Sequence, residues 1–171
     1  MTDNLEVHVK LKFNDILRYN LYIGYRGLFR KLTVIIGIVI WGYLIYKFSG
    51  SEVGVLDFIS NNIILLIVAF ITTFSRIIKI YQITLQQMQS AVATSAKYIF
   101  DAEKIYLQLG QISDTIDWQT YIQVIETKND FRFFVDDVQA QIIPKHALKE
   151  EQIPTLRALI KTATTRYTLK G

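Results

Sequence analysis

Hydrophobic positions cluster into two uncharged runs in the first half of the chain, and basic residues stand directly outside both runs. The runs cover residues 32–46 and 58–75. A bilayer core of about 30 Å needs about 20 helical residues at roughly 1.5 Å each. With their flanks, residues 28–48 and 58–90 are long enough, so we predict two transmembrane helices, the second with a cytoplasmic extension. Two buried core helices of a soluble protein are the alternative, but a chain of 171 residues offers too little else to surround them.

The charges around these runs predict how the helices are oriented. Residues 49–57 make a short connection, which predicts an antiparallel hairpin. The connection contains two acidic residues, whereas the outer flanks of the hairpin contain Arg26, Arg30, Lys31, Arg76 and Lys79. Lys and Arg are enriched on the cytoplasmic side of membrane proteins. We therefore expect a multi-pass protein with both termini in the cytoplasm and residues 49–57 as an external loop.

Beyond residue 95 the period of the hydrophobic positions changes to two, which is typical of strands. Segments such as KYIFD and KIYLQL alternate apolar and polar side chains, and turn residues follow at Gly110, 128–130 and 136–137. The spacing predicts an antiparallel meander curved into a small barrel or sandwich. Residues 148–167 return to helical spacing, and Pro154 is acceptable there only in the first turn of a helix. We expect this C-terminal helix to close the sheet.

The N-terminal segment alternates as well, because Leu5, Val7 and Val9 face one way and polar residues lie between them. A single strand would have no partner, so residues 1–13 are expected to join the C-terminal sheet. Residues 14–27 have the pattern of an amphipathic helix. The predicted fold class is an α+β membrane protein, in which a two-helix transmembrane hairpin is inserted into a split cytoplasmic domain. Residues 90–95 are the predicted junction, and residues 91–171 form the larger part of that domain.

Several short motifs resemble one known family. They are FNDILRYNLY before the first run, KYIFDAEKIYLQLG, the tryptophan of IDWQTYIQVIET, and DFRFFVDDVQAQIIPKHAL. In this order they resemble the YcxB-like family of bacterial membrane proteins. The resemblance implies a location in the bacterial inner membrane. It also implies a C-terminal domain that resembles a bacterial pleckstrin-homology fold, a bent antiparallel barrel closed by one C-terminal helix. It implies no reaction.

The composition offers few groups for catalysis. The chain has no cysteine and two histidines, His8 and His146, and neither has carboxylates at metal-ligand spacing. No phosphate-binding loop or nucleophile elbow is present. We therefore expect no enzyme, no cofactor and no metal site. The net charge of +4 lies largely beside the apolar runs, which favours membrane anchoring over nucleic-acid binding.

Four residues are candidates for binding a partner, namely the aromatic pair Trp118 and Tyr121 and the basic pair Lys145 and Lys149. Each pair also has a structural interpretation, as core packing for the rings and as a solvated basic edge for the lysines. We hypothesise a non-enzymatic membrane protein whose cytoplasmic domain binds a protein or lipid partner at the bilayer, with homo-oligomerisation left open. The alternative hypothesis is an immunity protein that protects the cell from a membrane-targeting antibacterial toxin.

Overall fold

The structure, a computed structural model, describes residues 4–89 and 95–170. It divides into two compact units. Unit 1 is Met1–Ile16 with Gln87–Gly171, and unit 2 is Leu17–Gln86. In the described residues the helices are α1 (Phe13–Tyr25), α2 (Leu28–Ser49), α3 (Val55–Asn61), α4 (Ile63–Met88) and α5 (Gln152–Ala163). The strands are β1 (Leu5–Val9), β2 (Ala96–Phe100), β3 (Lys104–Leu109), β4 (Ile112–Asp117), β5 (Gln123–Glu126), β6 (Asp130–Phe134), β7 (Ala140–Pro144) and β8 (Tyr167–Thr168).

Unit 1 contains two four-stranded sheets. The first has the order β1-β2-β3-β4 and the second the order β7-β6-β5-β8. The N-terminal strand pairs antiparallel with β2, so that Leu5 lies opposite Phe100 and Val9 opposite Ala96. All other neighbours are antiparallel, except that β8 runs parallel to β5. The alternating N-terminal segment therefore forms an edge strand of the first sheet.

One hydrophobic core joins both sheets to α5. The buried positions of β1 and β2 alternate with outward-facing ones, as the two-residue period requires. Leu156 and Ile160, one helical turn apart on α5, are completely buried in the same cluster. Pro154 is the third residue of α5, where its missing N–H leaves no helical hydrogen bond unmade. The C-terminal helix thus covers the core that the two sheets share.

The sheets do not close into a barrel, so of the two predicted forms the barrel is wrong. A short 3-10 turn, Trp118–Thr120, separates β4 from β5 and lets the chain pass from the first sheet to the second. Strand β4 remains at the edge of its own sheet. The expectation of purely antiparallel pairing also fails at β8, which the two-residue period did not reveal because β8 is only two residues long.

Unit 2 contains two helices that are long and apolar enough, by length and composition, to cross a membrane. They are α2 and α4, with mean hydropathies of 1.8 and 2.2, and only 11% of the residues in each apolar window are buried. The two helices approach closely at Gly37, because a side chain there would meet the hydroxyl oxygens of Thr72 and Thr73. Ala69 on α4 is completely buried. Small residues therefore form the contact at this point, Leu44 and Phe58 are buried in one cluster with Ala69, and other large apolar side chains cover the outside of the pair.

The structure divides the predicted helix of residues 58–90 at Asn62. The Asn62 amide donates a 2.8 Å hydrogen bond to the Phe58 carbonyl, and its side-chain oxygen accepts one of 2.7 Å from Lys47. An asparagine that bonds the local backbone competes with helix continuation. Helix α3 therefore ends before Asn62 and α4 begins at Ile63. Because α3 already begins at Val55, the connection after α2 is residues 50–54, which is shorter than the predicted loop of residues 49–57.

The remaining boundaries differ by a few residues. Strand β1 ends at Val9, although the alternation of apolar and polar residues continues to Phe13. Helix α1 instead begins at Phe13, where the Asp15 carboxylate accepts a 2.9 Å hydrogen bond from the Lys12 N–H and caps the first turn. Residues 1–3 of the predicted strand and residues 90–94 of the predicted junction lie outside the described residues.

Candidate functional site

The predicted aromatic pair lies in the core of unit 1. Trp118 is 2% exposed and Tyr121 is 1% exposed, and both rings pack around Phe133. The Trp118 indole donates to the Asp101 carbonyl at 2.9 Å, and the Tyr121 hydroxyl bonds to Gln141 at 2.7 Å. Burial raises the pKa of Tyr121. Both rings are buried in this structure, which is the arrangement expected from the core-packing interpretation, and partner binding by these rings stays a prediction.

The predicted basic residue Lys145 belongs to a cluster centred on Glu126, at the end of β5. The Glu126 side chain is fully buried, and Lys145 donates to one of its oxygens. Arg157 on α5 donates to both oxygens at 2.9 and 2.7 Å. The backbone N–H of Lys170 adds a 3.0 Å hydrogen bond. Together these contacts tie β5, the 3-10 turn at Lys145–Ala147, α5 and the C-terminal segment to one carboxylate.

The electrostatics of this cluster indicate that Glu126 stabilises the fold. Burial alone would raise the pKa of Glu126, but the hydrogen bonds from Arg157, Lys145 and the Lys170 N–H outweigh burial and hold the pKa at about 2. The same carboxylate raises the pKa of Arg157. A carboxylate that is ionised and bonded by three groups has no proton to transfer near neutral pH. In this structure the Lys145 ammonium group thus forms an ion pair with Glu126 and does not point toward a partner.

Lys149 lies apart from this cluster, on the surface before α5. Its backbone N–H bonds to the Gln152 side chain at 2.9 Å, and its side chain is exposed. The Gln152 amide in turn donates to the Glu6 carbonyl at 3.0 Å. The structure therefore separates the four predicted residues into two in the core, one in a buried ion pair and one on the surface.

Other charged groups of unit 1 are also paired. Arg132 and Asp130 form a buried two-point ion pair on β6, with distances of 2.8 and 3.1 Å. His146 lies 2.8 Å from the buried carboxylate of Asp15. Among residues 4–89 and 95–170, no group of three or more His, Asp or Glu side chains is arranged to hold a metal ion.

Among the described residues of unit 1, the outer face of the first sheet combines a groove with an edge strand, β4. Strand β4 is exposed along almost its whole length. Next to it is a shallow groove of about 210 Å³, whose outward-facing lining residues are Lys97, Ile99, Tyr106, Gln108, Ser113 and Thr115. Tyr106, 44% exposed, lies between Ile99 and Thr115 in the strand register. We call these six residues together with the free edge of β4 the β4 face.

Sequence reasoning missed the β4 face, although part of its signal was present. In KIYLQL the alternation that places Leu107 and Leu109 inward also places Tyr106 and Gln108 outward. An outward tyrosine is notable because its ring leaves a large apolar area in water. Strand β4 is an edge strand because the chain leaves the first sheet at the turn that begins with Trp118. The period of the hydrophobic positions does not reveal where this happens.

Comparison with known proteins finds a family match over part of the chain. Residues 100–160 match the family model described as YcxB-like protein, so the chain is similar to this family over that segment. The match begins at the end of β2 and reaches into α5, and it includes the Glu126 cluster up to Arg157 and most of the β4 face. The resemblance predicted from sequence is thus confirmed over these residues. No curated protein and no solved structure matches the chain.

Proposed function

We propose that this chain is a non-enzymatic integral protein of the bacterial inner membrane, whose YcxB-like domain binds a protein partner through the β4 face. The observation that carries the membrane part is the exposure of α2 and α4. These helices bury only 11% of their apolar windows, and residues such as Ile38 and Ile64 are 60% and 77% exposed. Soluble proteins rarely expose continuous apolar surface of this extent. A bilayer removes that surface from water.

The distribution of charge supports a cytoplasmic location for both termini. Arg26, Arg30 and Lys31 precede the apolar part of α2, and Arg76 and Lys79 follow that of α4. The connection between the helices contains Glu52 and Asp57 instead. This asymmetry is the one that keeps Lys-rich and Arg-rich flanks in the cytoplasm.

The architecture of unit 1 supports a pleckstrin-homology-like interpretation of the domain. Two four-stranded sheets share one core, and a single helix near the C-terminus covers it. Such a domain offers edge strands to which an extended segment of a partner can add by backbone hydrogen bonds. Membrane anchoring raises the local concentration of a partner at the surface, so that weak contacts suffice.

Membrane anchoring is tested by washing membranes at alkaline pH. The full chain should stay in the membrane pellet, as integral proteins do. Release into the supernatant would contradict the membrane part of the proposal, independently of any partner.

Partner binding is tested by photocrosslinking in intact cells. A photoreactive residue at Tyr106 should capture one recurrent protein, whereas the same residue at Lys161, exposed on α5, serves as the control. With the captured protein purified, Tyr106→Ala should weaken binding roughly tenfold to thirtyfold, since tyrosine is enriched among the residues that contribute most to binding energy at interfaces. Lys161→Ala should leave the affinity unchanged. Equal capture from both positions, or equal affinity of both variants, would contradict the β4 face as the interface. A secreted antibacterial toxin as the captured protein would favour the immunity hypothesis.

A further inference from the structure

The charges of unit 2 are strongly segregated. No Asp or Glu occurs between Asp15 and Glu52 or between Asp57 and Asp101. The two carboxylates of unit 2 therefore lie in the connection between α2 and α4. Apart from Arg18 within α1 and Lys47, its basic residues lie where α1 ends, α2 begins and α4 continues beyond its apolar part. They are Arg26, Arg30, Lys31, Arg76 and Lys79. This end of unit 2 has five cations and no carboxylate of its own.

Contacts between helices bring part of this charge together. Helix α1 packs against α4, where Asn20 donates to the buried Thr84 hydroxyl at 2.9 Å. One turn further along both helices, Gly24 lies against Ile80. At the end of α1, Arg30 donates to the Ile23 carbonyl at 2.7 Å and Arg76 donates to the Gly24 carbonyl at 3.0 Å. Because these carbonyls belong to consecutive residues, two arginines from different helices are held side by side.

These guanidinium groups keep most of their donors open. Each guanidinium has five N–H donors and uses one of them for its carbonyl. Within the described part of the chain neither arginine has an acidic partner. Guanidinium groups bind phosphate through paired N–H donors, and a fixed position reduces the entropy lost on binding. The Arg30 and Arg76 guanidinium groups can therefore bind an anion that has two adjacent acceptor oxygens.

The neighbouring side chains indicate which anion. Leu28 and Phe29, directly before Arg30, are 71% and 84% exposed, and Ile77, directly after Arg76, is 47% exposed. A soluble phosphate would gain nothing from these apolar groups. The acyl chains of a lipid would cover them, because burying apolar surface is favourable in proportion to its area.

We propose that the junction of α1, α2 and α4 binds the headgroup phosphate of an anionic glycerophospholipid. Arg30 and Arg76 contact the phosphate, and Leu28 and Phe29 contact the acyl chains. The inference rests on the proposed membrane location, and it adds a defined lipid site to it. A net anionic lipid is favoured over a zwitterionic one, since neither Arg30 nor Arg76 has an acidic partner among the described residues.

The test measures lipid retention by the purified full chain in nonionic detergent micelles. Phosphatidylglycerol or phosphatidylcholine is added, and native mass spectrometry counts the lipids that remain bound. Phosphatidylglycerol should be retained preferentially. The double substitution R30Q/R76Q should weaken that retention roughly 25-fold, because each basic residue near a lipid headgroup contributes about fivefold. The control K10Q/K161Q removes two exposed charges from unit 1 and should change nothing.

A second variant separates geometry from charge. R30K/R76K keeps both charges but removes the paired donors, so it should retain an intermediate amount of lipid. Its elution profile and thermal transition, like those of R30Q/R76Q, should match the parent chain and show that the fold is intact. Equal retention by R30Q/R76Q and K10Q/K161Q would overturn the proposal. So would displacement of phosphatidylglycerol by millimolar inorganic phosphate, which would identify a site for soluble phosphate. Alkaline washing of membranes reads out the anchoring separately, so failure of the lipid site and failure of the membrane location are distinguishable.

Discussion

Removal of the Glu126 charge should destabilise unit 1 through one defined group of contacts. Glu126→Gln keeps the size of the side chain but abolishes the ion pairs with Arg157 and Lys145. The pKa of Glu126 falls from an ordinary 4.5 to about 2 in the folded chain. That difference corresponds to about 3 kcal/mol of stabilisation of the charged form. Because Arg157 and Lys145 are 27% and 19% exposed, both cations can turn toward water in the variant, and we expect a loss no larger than this value.

The pH dependence of this loss gives the sharper test. The folded-state pKa lies below the unfolded one, so the ion pairs stabilise the fold fully above about pH 4.5, and that stability disappears as the pH falls toward 2. The difference between Glu126→Gln and the parent chain should therefore be at most about 3 kcal/mol near neutral pH and at most about 1.4 kcal/mol near pH 3. Urea unfolding in micelles measures it, with Trp118 fluorescence as the reporter. Trp41→Phe in all chains removes the other tryptophan.

The matched control is Glu103→Gln, at an exposed carboxylate in the turn before β3. It should change the free energy of unfolding by less than about 0.5 kcal/mol at both pH values. A loss for Glu126→Gln that is equally large near pH 3 and near neutral pH would refute the reasoning, because an uncharged contact would then be responsible. So would a loss below about 1 kcal/mol near neutral pH.

Three further predictions concern packing and ionisation. Gly37→Ala should destabilise the α2–α4 pair by about 1–3 kcal/mol, because its methyl group meets the Thr72 and Thr73 hydroxyls, whereas Gly42→Ala, with no atom nearby, should be neutral or slightly stabilising in thermal unfolding. Leu156→Ala should cost about 2–5 kcal/mol in urea unfolding of unit 1, since this side chain is completely buried in the core, and a loss below 1 kcal/mol would contradict the core assignment. Burial raises the pKa of Tyr98 to about 12; its unfolded phenol ionises near pH 10, so stability should fall as the pH rises from about 10 to 12, and Tyr98→Phe should reduce this fall. Ultraviolet titration at tyrosinate wavelengths and thermal unfolding check the last prediction, which an unchanged slope in Tyr98→Phe would contradict.

The sequence predicted local structure well where a period was long and uninterrupted. The alternation of Leu5, Val7 and Val9 predicted a strand, and the two apolar runs predicted long helices because charged residues are absent from both. The polar residues 60–62 near the start of the second run were compatible with a helix cap, but the sequence did not predict a break between two helices there. The Asn62 side chain makes this break through its hydrogen bonds with Phe58 and Lys47. The composition of the apolar run is the same whether or not these bonds form, so composition alone could not reveal the break.

The candidate residues show the same limit, because their roles depend on contacts between distant parts of the chain. Trp118 and Tyr121 are buried since the chain turns inward between the two sheets. Glu126 shares the inward face of β5 with Val124, so alternation had placed a carboxylate toward the core. Its partners Arg157 and Lys170 are 31 and 44 residues away, and no local pattern links them to it. A polar residue at an inward position was the available signal for the cluster.

The pairing of β1 with β2 constrains any membrane crossing by α2 and α4. Strand β1 precedes α2 and β2 follows α4, yet Val7 lies opposite Tyr98 in one sheet. A bilayer cannot separate two strands that are hydrogen-bonded to each other, so the chain between them crosses an even number of times. Reporters fused to the N-terminus and to the C-terminus must therefore indicate the same side, whatever the orientation of the hairpin. If a reporter inserted at Ser51 indicates the opposite side from both termini, the hairpin spans the membrane with the termini together. Termini on different sides would contradict the sheet itself, because β1 could not then reach β2.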